Sequence, residues 1–165
     1  MTVLTSDVDK EALTLTFVAD FDASVERVWQ LWEDPRQLER WWGPPTWPAT
    51  FDRHDFVPGG RSTYYMTGPD GEKMGGWWVT TVIEAPTKLE FDDGFADSDG
   101  NPQDEFGITH AVVTLETVDG RTRMTTVSSF ESADHLEKMI EMGMQEGMGQ
   151  AMGQIDALLN EKASA

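Results

Sequence analysis

The 165-residue chain contains no cysteine. Disulfides, thiol nucleophiles and thiolate metal sites are thereby excluded. Basic residues are scarce as well: 12 Lys and Arg stand against 30 Asp and Glu, a net charge of −18. So acidic a chain repels phosphate backbones and anionic lipid surfaces, and neither nucleic acid nor membrane insertion is expected. No apolar run reaches membrane-spanning length, and the opening residues lack the charged-then-apolar order of a signal peptide. A cytoplasmic location is the resulting expectation. Catalytic signatures are missing too: there is no Gly-x-Ser-x-Gly, phosphate loop, dinucleotide fingerprint or His-Glu-x-x-His. His54, His110 and His135 do not have zinc-ligand spacing. The run Asp97-Ser98-Asp99-Gly100-Asn101 imitates the start of a calcium loop, but Pro102 and Ile108 occupy the places where such a loop needs Gly and Glu. Neither a metal nor a cofactor is expected, and the enzyme reading has no motif behind it.

What is present is aromatic and thioether bulk. Seven Trp, eight Phe and nine Met supply large buried areas to a chain that is 39% apolar. This is enough for the core of one domain, expected over residues 12–160, preceded by a polar, loose arm over 1–11.

Strand and turn signals follow in sequence. In Ala12–Asp20, Leu13, Leu15 and Phe17 alternate with Thr14, Thr16 and Val18, the period of a half-buried strand. Asp22 or Ser24 caps a first helix whose Val25, Val28, Leu31 and Trp32 share a face, and Pro35 ends or kinks it. A short helical piece is expected over Gln37–Trp42, before Gly43-Pro44-Pro45. Further strands read as Ala49–Phe56, Arg61–Thr67, Gly76–Glu84, Lys88–Phe91, Ile108–Thr117 and Arg121–Phe130. They are separated by the Pro58-Gly59-Gly60 turn, Gly68-Pro69-Asp70-Gly71, an acidic loop over Asp92–Glu105, and an Asp119-Gly120 hairpin turn.

The last long stretch, Ala133–Asn160, predicts a helix with Leu136, Ile140, Gly143, Gly147, Ala151, Ile155 and Leu158 along one side. Ser132 caps it, Asp134 lies in its first turn and Lys162 beyond its far end. Gly143, Gly147, Gly149 and Gly153 each cost about 1 kcal/mol relative to Ala in a helix interior, which calls for an offset. That offset is either close approach of another backbone or space left open for a ligand. Met139, Met144 and Met148 flank the stripe, as core residues or as the adaptable wall of an apolar cavity.

The whole pattern is α+β: a curved antiparallel sheet with two short helices after the first strand and one long C-terminal helix covering it. Phe21-Asp22-Ala23, Val28-Trp29, Trp32-x-Asp34-Pro35-x-x-Leu38-x-x-Trp41-Trp42-Gly43-Pro44, Asp55-x-x-Pro58-Gly59-Gly60-Arg61, Gly68-Pro69-Asp70-Gly71 and Gly143-Met144-x-x-Gly147 occur in this order. On these motifs the chain resembles the bacterial homologues of the activator of heat-shock protein 90 ATPase, within the SRPBCC or START-like superfamily, from about Ala12 to Leu159. The resemblance implies a helix-grip fold, as in START-like and birch-pollen-allergen-like proteins, with a cavity under the C-terminal helix. In the superfamily that cavity accepts lipids, sterols, polyketides or plant hormones, and some members are cyclases or hydrolases. The family's chaperone connection also implies a stress-response setting.

Trp32, Trp41, Trp42, His54, Phe56, Tyr65, Trp78, Met144 and Met148 are the candidate cavity residues. Pro58, Gly59, Gly60, Gly143 and Gly147 are read as structural. Counting back from Phe56 by twos puts His54 on the same strand face, where it can meet a ligand's polar end or exchange protons near neutral pH. Trp77/Trp78 and Tyr64/Tyr65 are adjacent pairs, so only one member of each faces inward. The leading expectation is a non-enzymatic binder of a small apolar, aromatic or lipid-like molecule. The alternatives are a cyclase- or hydrolase-like enzyme using His54 or His110 with a tyrosine, and a co-chaperone-like interaction module with a chaperone as partner. A monomer or a dimer is expected.

Overall fold

The structure is a computed structural model and describes residues 3–97, 99, 101–103 and 107–160. Lys162, Ser98 and Gly100, together with Asp104 and Glu105 of the acidic loop, lie outside the described residues.

Eight strands form one antiparallel sheet: β1 Val3–Asp9, β2 Thr14–Phe21, β3 Ala49–His54, β4 Arg61–Thr67, β5 Lys73–Glu84, β6 Lys88–Ala96, β7 Thr109–Val118 and β8 Arg121–Ser129. Their spatial order is β1-β2-β8-β7-β6-β5-β4-β3. Alternation does in β2 what its sequence requires: Leu15, Phe17, Ala19 and Phe21 are buried and the residues between them are not. The arm over 1–11 is not loose where it is described, since β1 pairs with β2 from Val3↔Asp20 to Asp9↔Thr14. Its hold comes largely from backbone hydrogen bonds, which composition does not reveal. The Asp9 carboxylate accepts the backbone N–H of Glu11 and Ala12, both at 3.0 Å, and so shapes the turn into β2.

Consecutive strands β2 and β3 are separated by five others in the sheet, and two helices carry the chain between them. In α1, Val25–Glu33, the Ser24 hydroxyl accepts the Arg27 N–H at 3.2 Å, and Val28, Trp29, Leu31 and Trp32 are buried. Asp34 leaves helical geometry and then caps α2, Pro35–Leu38, through the Arg36 N–H at 2.9 Å. Pro35 therefore opens the second helix, which begins and ends earlier than Gln37–Trp42, because a proline at the first helical position forfeits no hydrogen bond.

Two differences in the sheet bear on the site. Between Phe51 and Arg53 the pairing of β3 with β4 shifts by one residue, so a bulge separates the two halves of β3. Strand β6 runs on to Ala96, through residues expected to begin the acidic loop. Leu89 and Phe91 are buried on its inner face, and the alternation carries Asp93 and Phe95 onto that face.

The C-terminal helix is divided into α3 Ala133–Glu141, α4 Met144–Gly153 and α5 Ile155–Asn160. Gly143 takes φ +89°, a left-handed conformation that glycine adopts without a Cβ clash, and ends α3 there. Buried Leu136, Ala151, Ile155 and Leu158 continue the expected stripe, joined by Met139 and Met152. Between them Gly143 and Gly147 are only half-buried.

Trp32 sits in an aromatic cluster beneath α1, with ring centroids of Trp41, Trp42, Trp78 and Phe91 at 4.8, 6.0, 6.1 and 6.0 Å. Trp78 stacks on Phe91 at 4.1 Å. Such rings fill the space between sheet and helices at one end and leave the other end less filled.

Candidate functional site

That less filled end is a half-open groove of about 400 Å³. Tyr64 and Met66 of β4, Asp93 and Phe95 of β6, and Thr109 of β7 form its floor. The opposite wall is helical, with Met139 and Met142 on one side of the Gly143 break and Met144, Gly147 and Met148 on the other. Trp42, Pro44 and Trp47 close one end, and Met74 of β5 edges the floor. Six of the chain's nine methionines thus border one space, and unbranched thioethers conform to ligands of irregular shape.

The glycines receive their explanation here. A Cβ added at Gly147 would have no heavy atom within 4 Å, so no other backbone approaches it. Gly149 is different, since its Cβ would rest 3.9 Å from the Phe17 ring. Of the two offsets expected for the helix glycines, open space is the one found at Gly147.

Asp93 is the polar feature of the floor. It lies opposite Trp78 of β5 and Thr109 of β7 in the sheet register, both of which are buried on the inner face. The Tyr64 hydroxyl donates a long hydrogen bond, 3.5 Å, to Asp93 Oδ1. Burial pushes the Asp93 carboxyl up to about 7, against the smaller opposing effect of the Tyr64 hydrogen bond. Burial, reinforced by the nearby Asp93 charge, raises Tyr64 well above an ordinary phenol. The indole N–H groups of Trp42 and Trp78 lie near enough to that hydroxyl to pull the other way, yet neither completes a hydrogen bond. Gly76 positions the Tyr64 ring, because a Cβ at Gly76 would collide with it.

The candidate residues are spread over several places in the fold. Trp42, Met144, Met148, Gly143 and Gly147 border the groove. Trp32, Trp41 and Trp78 are buried in the aromatic cluster instead, and the Trp41 indole N–H donates to the Leu31 carbonyl at 3.0 Å. Tyr65 occupies the outer face, where the Lys73 ammonium stands 4.5 Å from its ring centroid, so Tyr64 is the inward member of that pair. Pro58, Gly59 and Gly60 make the turn between β3 and β4, with Gly59 at φ +81° and its N–H donating to the Thr80 carbonyl at 2.7 Å.

His54 does face inward, next to Phe56 at 5.2 Å, because the bulge in β3 turns it to the face of Phe51, but it lies against α1 and does not border the groove. Its Nε2 lies 2.8 Å from the Trp32 carbonyl and its Nδ1 2.6 Å from the Ser62 hydroxyl. A carbonyl only accepts, so Nε2 carries the proton and Nδ1 accepts from Ser62. Burial lowers the His54 pKa, although the bond to Trp32 opposes it. Phe56 is half-buried against Trp29, ring centroids 5.6 Å apart. His110 is on the outer face, its ring nitrogens 2.7 Å from Asp92 and 3.0 Å from Glu90. The expected pairing of His54 or His110 with a tyrosine in the cavity is therefore not assembled. Asp93 escapes the sequence reading, in which the acidic loop begins at Asp92. The signal was present in the period-two series Leu89, Phe91, Asp93, Phe95.

Among the described residues no group of three His, Asp or Glu side chains is placed to hold a metal ion. No helix among them is long and apolar enough to cross a membrane.

Comparison with other proteins agrees with this architecture. No match is found among curated proteins. A protein from Arthrobacter aurescens, solved by NMR, is 64% identical over 96% of this chain and 92% of its own, with a TM-score of 0.92. A crystal structure of a Mycobacterium smegmatis protein is 48% identical over 97% of this chain and 99% of its own, with a TM-score of 0.90. An AHSA1 protein from Silicibacter pomeroyi, at 20% identity over 88% of this chain and 96% of its own, shares the fold with a TM-score of 0.72. The family model described as Activator of Hsp90 ATPase homolog 1-like protein matches residues 22–160, and the chain belongs to that family.

Proposed function

We propose that this protein binds a small apolar or aromatic molecule in the groove between its sheet and the α3–α4 helices. The observation that carries the reading is the groove itself, about 400 Å³ and bordered mostly by Met, Trp and Phe, with Gly147 facing unfilled space. Ligand sites of this kind run to roughly 300–1,000 Å³ and combine apolar walls with few polar groups. Burying a ligand's apolar surface at about 25 cal/mol per Å² supplies the driving force.

Native mass spectrometry of protein taken gently from its own host, joined to melting curves across lipid and aromatic libraries, tests this. A bound small molecule, or a melting point raised by members of one chemical class, is the expected result. An unliganded mass with no shift across both libraries overturns it.

A second reading is an acid/base enzyme, and it rests on different residues from those the sequence pointed to. Asp93, at about 7, is poised to accept or give a proton near neutral pH, with Tyr64 beside it. Chemical conversion of a bound molecule, lost in Asp93→Asn, would separate this reading from simple binding. The co-chaperone-like role is supported by family membership alone.

A further inference from the structure

Among the described residues bordering the groove, Asp93 is the only one with an ionisable carboxyl, and no Lys, Arg or His borders it. The elements around Asp93 present Tyr64 from β4, Trp78 from β5, Thr109 from β7 and methionines from the helical wall. Of these only Tyr64 is titratable, and its raised pKa keeps it a neutral phenol. Among the described residues Asp93 thus has no counter-charge. Close by are the rings of Trp42, Trp47, Tyr64 and Phe95, whose π-faces attract cations. The net charge of −18 further enriches cations near the surface.

We infer that the groove selects by head-group charge: its occupant is an amphiphile with an apolar chain or ring system among the methionines and an ammonium head at Asp93. This rests on the reading of the groove as a ligand site. A fatty carboxylate of the same length would meet Asp93 as a like charge, and a neutral alcohol would gain the apolar burial alone. Because Asp93 is near half-ionised at neutral pH, an ammonium draws it into its ionised form and releases a proton. For a quaternary ammonium, charged at every pH, affinity rises from pH 6 to pH 8.

The test is titration calorimetry of the full chain with decyltrimethylammonium, decanol and decanoate, each below its aggregation limit, at both pH values. At pH 8 the expected order of affinity is ammonium, then alcohol, then carboxylate; proton release on ammonium binding is read at pH 6, where Asp93 starts mostly protonated, from buffers of different ionisation enthalpy. Asp93→Asn is expected to weaken the ammonium about tenfold and the alcohol by less than about twofold. A general attraction to the acidic surface predicts instead that removing one charge changes little. Decanoate binding tightest, or an ammonium affinity indifferent to both pH and Asp93→Asn, overturns the assignment. If alcohol binds and ammonium binds no better, the groove stands and the head-group preference falls. If none of the three binds, the ligand reading fails and this inference with it. Should the variant not fold, the affinity order and proton release of the unaltered chain decide.

Discussion

His54 Nε2 and the carbonyl of Trp32 lie 2.8 Å apart, joining β3 to the end of α1 beneath the aromatic cluster. With Ser62 on the other ring nitrogen, the imidazole connects β3, β4 and α1 through two hydrogen bonds made by its neutral form. It joins the elements around the groove and does not itself border that space.

His54→Phe should therefore destabilise the protein by about 2–3 kcal/mol, because two partly buried groups lose their partner. Affinity for an apolar probe, measured on the folded fraction, should change little. Urea unfolding beside probe titration checks this. Unchanged stability together with lost binding would return His54 to the ligand site.

Two helix glycines should respond in opposite directions. Gly147→Ala places a methyl group in open space within α4 and should stabilise by up to about 1 kcal/mol. Gly143→Ala must hold φ +89° with a Cβ and should cost about 1–2 kcal/mol. Gly147→Leu should keep the fold and exclude apolar ligands from the groove. Thermal unfolding ranks the first two, and probe binding reads the third.

Asp93 gives stability a pH dependence of definite sign. Its folded pKa, about 7, lies above the ordinary value of 3.8, so between these values the folded chain binds more protons than the unfolded one. Stability from this group is present at low pH and lost as pH rises from about 4 to 7, by up to about 4 kcal/mol at 1.36 kcal/mol per pKa unit. His54, lowered by burial, acts oppositely: its unfolded form takes up protons first, so stability falls as pH drops below its ordinary value of 6.5. Asp93→Asn should remove the first trend and be the more stable form at pH 8. Denaturant midpoints of both proteins at pH 5, 6.5 and 8 provide the comparison. A midpoint difference that does not vary with pH would contradict the assignment.

Gly76→Ala should act through Tyr64. The added methyl group collides with the phenol ring, which must move off its place beside Asp93 at a cost of about 1–3 kcal/mol. Loss of the hydroxyl's hydrogen bond should raise the Asp93 pKa further. Carboxyl chemical shifts followed across pH would show it, and an unmoved titration would separate Gly76 from the site.

Local pattern alone determined much of this protein. Alternation set the inner face of β2, a hydroxyl and an apolar face set α1, and Arg61–Thr67 emerged with the bounds that turn residues on either side imposed. These features are repeated every two or four residues, so a short window contains them. Tertiary structure decided the rest. The bulge at Phe51/Arg53 turned His54 to the face of Phe51, pairing with β5 and β7 drew β6 past Phe91 and brought Asp93 inward, and Gly143 broke the helix over the groove. Each of those outcomes depends on which distant strand or ring stands opposite, and a one-residue change of register reverses every side chain that follows. Backbone pairing likewise recruited β1 from a polar segment with little pattern of its own, because hydrogen-bond partners are supplied across the sheet and not along the chain.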